Sequence, residues 1–195
     1  MTPEIRAFEF AIGVFAVLIG LAIADIATSF QRLLGSRSTV KWDPLALLAA
    51  TYALCMAIYM WFDLWGVRNF AATRNFLFYL ALFAELFVLY LIAASSLPSD
   101  GFEHDLREFY SRNRRRFWFL IVLFQIGYVA AGCYFIADSI AKLPGVEAAL
   151  VIVQMFSPLI LALILYFTKS RVVHYFGLGL LFVVMLIHYG RASIN

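Results

Sequence analysis

Charge is scarce in this sequence: Asp, Glu, Lys and Arg make up 14% of 195 residues, while hydrophobic side chains make up 64%. A water-soluble fold of this length has to cover its core with polar surface, and there are too few polar side chains here to do so. With a mean hydropathy of +0.89, most of the chain has lipid for its solvent. Cysteine is nearly absent as well. Cys55 and Cys133 both fall inside apolar runs, which excludes a disulfide framework and a Cys-rich metal site and makes them small packing residues. Histidine occurs as His104, His174 and His188, in separate segments or fourteen residues apart on one run, so no two share a metal. There is no HExxH, GxSxG, P-loop or haem-spaced His pair. No metal and no cofactor is implied, and an enzyme is disfavoured, although a lipid- or quinone-processing enzyme can carry scattered polar residues without a compact signature. Nucleic-acid recognition has no support, because the basic cluster adjoins a membrane span.

What is present is apolar sequence in long runs. About 18 such residues cross the ~30 Å hydrocarbon layer as a helix, at about 1.5 Å per residue. Six runs qualify, at 8–30, 44–65, 76–97, 117–140, 148–168 and 172–189. Each is continuously apolar, without the in/out alternation of barrel strands, so the expected fold is an all-α integral membrane protein of about six transmembrane helices. The last run is short and barely separated from the fifth, which leaves a re-entrant hairpin open. No repeat, low-complexity tract or Pro-rich linker divides the chain, so a single domain over 1–195 is expected. The first apolar run is too long for a signal-peptide core and lacks a basic flank or small-residue cleavage site, so it stays as a helix.

Lys and Arg set the orientation. Arg32, Arg37, Lys41, Arg107, Arg112, Arg114, Arg115, Arg116, Lys169 and Arg171 fall in the odd loops, against Arg6, Arg68, Arg74, Lys142 and Arg191 elsewhere. Ten against five places the odd loops in the cytoplasm and both termini outside, in a multi-pass protein of a cell inner membrane.

Ionisable residues inside a span cost at least ~2.5 to 3.5 kcal/mol on insertion scales, so they are the first candidates for function. Glu85, in FLFYLALFAELFVLYL, lies nine residues beyond Phe76 and therefore about 13 Å into the layer. It is either a proton or cation site, or a buried carboxyl held by Tyr or Gln of neighbouring helices. Asp25 is the second candidate, with Arg32 seven residues on along the same face as distant support. Asp63, flanked by Trp61 and Trp65, and Asp138 fall near outer span ends, where water reaches them.

The first run carries two stripes. Ala16, Gly20, Ala24 and Thr28 form a small-xxx-small face for close helix packing. Ile12, Ile19, Ile23 and Ile26 form a branched apolar face, which either lines a dewetting pore in an oligomer or touches lipid and other helices. The third loop, SDGFEHDLREFYSRNRRRF, pairs Asp100 and Glu103 at capping-box spacing, with acids first and arginines last. Phe102, Leu106, Phe109, Tyr110 and Phe117 recur on one face, so a short amphipathic helix near 100–116 is expected on the cytoplasmic leaflet. Its Arg112, Arg114, Arg115 and Arg116 would meet anionic lipid or an acidic partner, unless they only fix topology.

The opening stretch RAFEFAIGVFAVLIGLAIADI resembles the first helix of bacterial homologues of the lysosomal potassium channel family. Arg6 and Phe10 match that family's opening motif, whereas Ala11 and Ile12 stand where it has Ser-Asp. The resemblance implies a compact six-helix chain assembling as a tetramer, with termini in the cytosol and a pore lined by Ile12, Ile19 and Ile23. The sequence thus points to an oligomeric cation or proton channel or transporter. The alternative is a non-catalytic membrane subunit or scaffold that docks lipid or partner proteins through its Arg-rich loop.

Overall fold

Backbone N–H and C=O groups find no water in hydrocarbon, so each apolar run closes its hydrogen bonds on itself as a helix. The computed structural model describes residues 3–35, 39–67, 76–99, 105–140 and 143–190. It contains α1 (Pro3–Gly35), α2 (Pro44–Val67), α3 (Phe76–Ser96), α4 (Leu106–Ile140), α5 (Gly145–Phe167) and α6 (Arg171–Gly190), and no extended strand among the described residues. The protein is an all-α polytopic membrane protein. Five helices are long and apolar enough to cross a membrane, and α6 adds a shorter apolar stretch over Arg171–Ile187. Phe76, Phe167 and Phe176 are about three-quarters exposed, a surface that suits lipid rather than water.

The helices form two compact units, 1–113 and 114–195. In the first, α1 packs against α2 and α3, and α2 against α3. The buried face of α1 is Phe15, Ile19, Ala22, Ile26, Ser29 and Leu33, spaced alternately by four and three residues. That 3.5-residue repeat keeps one seam turned to its neighbours along the whole helix. A row of small residues lies on α2, where Ala46, Ala49, Ala53 and Ala57 are all buried. On α1 the expected small stripe points away instead. Gly20 and Ala24 are exposed, Ala16 is half-buried, and a Cβ added at Gly20 meets nothing within 4 Å. Four-residue spacing marks a stripe but does not select its partner, and on α1 the larger Phe and Ile side chains take the buried face instead.

The Arg-rich segment is not a separate helix, as the sequence pattern led us to expect. It forms the first three turns of α4, which runs unbroken for 35 residues, about 52 Å. No Gly or Pro interrupts it near the arginines. Leu106, Tyr110 and Phe117 are buried on the same face as Ile121 and Phe124 beyond them, so the aromatic stripe continues the packing face of the span. Asp100, Phe102 and Glu103 lie outside the described residues. The cap observed is Asp105, whose Oδ1 accepts from the backbone N–H of Arg107 and Glu108, both at 3.1 Å. Asp105 and Glu108 have the same Asp-x-x-Glu spacing as Asp100 and Glu103, five residues further along the chain.

The caps tie the first unit together at one end. Asp105 makes an ion pair with Lys41 at 3.3 Å, and the Leu106 N–H donates to the Lys41 carbonyl at 3.2 Å. Buried Asp43 caps α2, with Pro44 at its first helical position, by accepting from the Ala46 N–H at 3.4 Å. Arg32 at the end of α1 donates to the Ser99 carbonyl, and Asn113 of α4 to the Ser95 carbonyl. Loops one and three therefore meet on one side of this unit. In the second unit α5 and α6 form a tight hairpin. A Cβ at Gly177 would come within 2.7 Å of buried Leu165, so that glycine sets how closely the two helices approach.

These contacts give two expected outcomes. Ala53→Leu inserts bulk into the α2 seam and lowers stability by about 1 to 3 kcal/mol, whereas Gly20→Leu changes that of the protomer by less than about 0.5 kcal/mol. Thermal melting in detergent distinguishes them. Hydrogen bonds from the Glu108 backbone, then the Lys41 ammonium, hold the Asp105 carboxyl below its ordinary range. Its stabilising contribution is therefore complete above about pH 4 and is lost as pH falls through the lowered value. Asp105→Asn keeps the cap and drops the ion pair, so the difference in melting temperature from the parent should close below that pH.

Candidate functional site

Glu85 sits in the middle of α3, nine residues after Phe76 and eleven before Ser96. Leu89, Ile92 and Ser96 follow it at four, seven and eleven residues, and all three are buried, so Glu85 shares the helix face turned into the first unit. Its Oε1 is shut off from the surface and has no hydrogen-bond partner among the described residues. The structural alternative, a carboxyl fully held by neighbouring Tyr or Gln, is therefore not met at this oxygen. Desolvating a carboxylate oxygen without a partner is expensive, and binding a proton or cation there relieves the cost.

Tyr79, about one turn and a half before Glu85 on α3, carries no mark in the sequence. Its ring stacks on Phe15 of α1 at 6.3 Å, and its hydroxyl is buried without a partner. It precedes Glu85 by six residues, about 9 Å along the helix. A tyrosine in an apolar run reads as packing until a structure shows that its hydroxyl is enclosed. Asp25 is half-buried on α1, beside the core stripe, and no hydrogen bond or ion pair links it to Glu85 among the described residues. Arg32, expected to support Asp25, is instead engaged with Ser99.

The isoleucines separate. Ile19 is 3% exposed, in the seam that α1 makes with its own neighbours, while Ile12 and Ile23 are half-buried. Ile19 is thus not open to line a pore between protomers in this structure. Its spacing from Ile12 and Ile23 placed all three on one stripe, but helix packing within the chain uses part of that stripe. Asp63 is half-buried, and the side chains of Trp65, Asp138 and His188, like all of His104, lie outside the described residues. Cys133 is exposed rather than packed, and Cys55 is half-buried. Among the described residues no three His, Cys, Asp or Glu side chains converge as metal ligands.

The arginines of α4 also differ among themselves. Arg112, Arg115 and Arg116 are exposed, and the Arg115 guanidinium lies 5.9 Å from the centre of the Tyr166 ring of α5. Arg114 is half-buried, with Nη1 enclosed and without a hydrogen-bond partner. Nearby, His174 is 1% exposed, packs on Trp118 at 5.8 Å, and donates from Nε2 to the Thr168 carbonyl at 3.1 Å. This bond fixes the imidazole across the α5–α6 turn, a role that the sequence did not indicate.

No protein-family model, curated protein or solved structure matches the chain, so its function is read from these residues alone.

Proposed function

We propose that the chain moves protons or cations across its membrane, with Glu85 as the group that takes up and releases the charge. One observation carries this reading, the enclosed and unpartnered Oε1 of a carboxyl in mid-span. A group kept for stability alone would be expected to have both oxygens satisfied, because an unsatisfied buried acceptor costs about 1 to 3 kcal/mol. Intramembrane acids that persist despite such a cost typically serve proton or ion pathways. The channel resemblance of the first helix would instead route ions along Ile12, Ile19 and Ile23, and burial of Ile19 in the protomer favours Glu85 over that stripe. The outward small-residue face of Ala16, Gly20 and Ala24 leaves room for a second copy, as an oligomer requires. A second reading, a subunit docking lipid or partners through the arginines of α4, has the unpartnered Nη1 of Arg114 in its favour.

Orientation follows the charge count, with 107–116 cytoplasmic and both termini outside. In a chain with Cys55→Ala and Cys133→Ala, exposed Ser111→Cys should be labelled only from the cytoplasmic side. Labelling from the other side reverses the assignment.

Flux into liposomes, read together with thermal melting, tests the role of Glu85. Glu85→Gln should abolish flux or flatten its pH dependence with little change in stability. Glu85→Leu, which removes an orphaned polar atom, should be no less stable than the parent and equally inactive. Unaltered flux in Glu85→Gln, beside a Glu85→Leu variant destabilised by about 1 to 3 kcal/mol, would make the residue structural.

A further inference from the structure

The second unit is electrically lopsided. Arg114, Arg115 and Arg116 of α4, together with Lys169 and Arg171 at the α5–α6 turn, gather five cations at one end. The acids of this unit in the sequence are Asp138 and Glu147. Asp138 lies 24 residues beyond Arg114 along α4, about 36 Å away, and Glu147 is in the first turn of α5, at the opposite end from Lys169. Arg114 and Arg171 are both half-buried and lie within electrostatic reach of His174, while Arg115, Arg116 and Lys169 are exposed around them. Repulsion within such a group falls when an anion binds among its members.

Two features make this more than a basic loop end. The first is Arg114, whose Nη1 is enclosed without an acceptor while the rest of its side chain remains partly open. Cations that only set topology are expected to project into water, with every N–H solvated. The second is the surface beside them. Arg115 lies over the Tyr166 ring, Tyr166 is 6.4 Å from Phe119, and Phe119 and Phe167 are exposed at 52% and 73%. Cations thus border an exposed aromatic ledge, an arrangement that matches a molecule with an anionic head and apolar chains. A soluble phosphate has no use for the ledge.

We infer that this end of α4, α5 and α6 is a binding site for the phosphate of an anionic membrane lipid, with Arg114, Arg115, Lys169 and Arg171 around the headgroup and acyl chains along Phe119 and Phe167. Arg114 gains the acceptor that it lacks, and Arg115 is held in place for the headgroup by Tyr166. His174 does not touch the lipid. It fixes the turn that carries Lys169 and Arg171 by bonding to Thr168. The site is independent of Glu85, so either proposal survives failure of the other.

Native mass spectrometry of the delipidated protein, titrated with phosphatidylglycerol, phosphatidylcholine or inorganic phosphate, tests the inference. Phosphatidylglycerol should be retained at least about tenfold better than phosphatidylcholine, and Arg114→Gln should cut that retention by about tenfold. Lys169→Gln, at an exposed position where folding is not at stake, should lower it in the same direction. Arg107→Gln, an exposed arginine of the first unit, should leave it unchanged. Equal retention of the two lipids, or of phosphatidylglycerol by parent and both site variants, would overturn the site. Displacement of the lipid by millimolar inorganic phosphate would overturn its assignment to a lipid.

Discussion

Hydrocarbon has no hydrogen bonds to offer, and the rest of the architecture depends on that. A segment crossing it must satisfy its own backbone, which leaves helices as the form for runs such as those of α2, α3 and α5. The same lack removes the hydrophobic effect as the force that joins helices, because lipid is as apolar as leucine. Packing contacts and backbone approach then decide which faces meet. Phe15 of α1 stacked on Tyr79 of α3 is one such contact, and Gly177 against Leu165 is a case of a small residue admitting a larger one.

Polar side chains within this frame fall into two kinds. At the helix ends, Asp43, Asp105, Arg32 and Asn113 find backbone or charged partners, and the pair of Lys41 with Asp105 fastens loops one and three to each other. Elsewhere, the Glu85 carboxyl of the first unit and the Arg114 guanidinium of the second each retain an enclosed atom without a partner. The first kind explains how the fold is held. The second kind is where the fold carries a cost that its own atoms do not offset, and proteins tend to retain such costs at functional positions. One is an acceptor that a proton or cation would satisfy. The other is a donor that a phosphate would satisfy.

Helix α4 links sequence and structure most directly. Read residue by residue, its first turns look like an amphipathic helix resting on a leaflet, because acids come first, arginines last and aromatic residues share one side. In the structure that aromatic face is buried protein, continuous with the span. A pattern of period 3.6 records that one face is apolar, and it is silent on whether lipid or another helix covers that face. The same silence explains the first helix, whose small-residue and isoleucine stripes were both visible while their partners were not.

The sequence by itself determined the solvent and the approximate bounds of six helices, five of them long and apolar enough to span, and put Glu85 in mid-helix, since each follows from hydropathy and the rise of a helix. Tertiary structure alone decided which side chains remain unsatisfied. Tyr79 and Arg114 look like an ordinary core tyrosine and one arginine among four until neighbours from other turns and helices enclose them. Ile19 passed from possible pore lining to core for the same reason. Burial and partnership are properties of residues distant along the chain, and no local pattern encodes them.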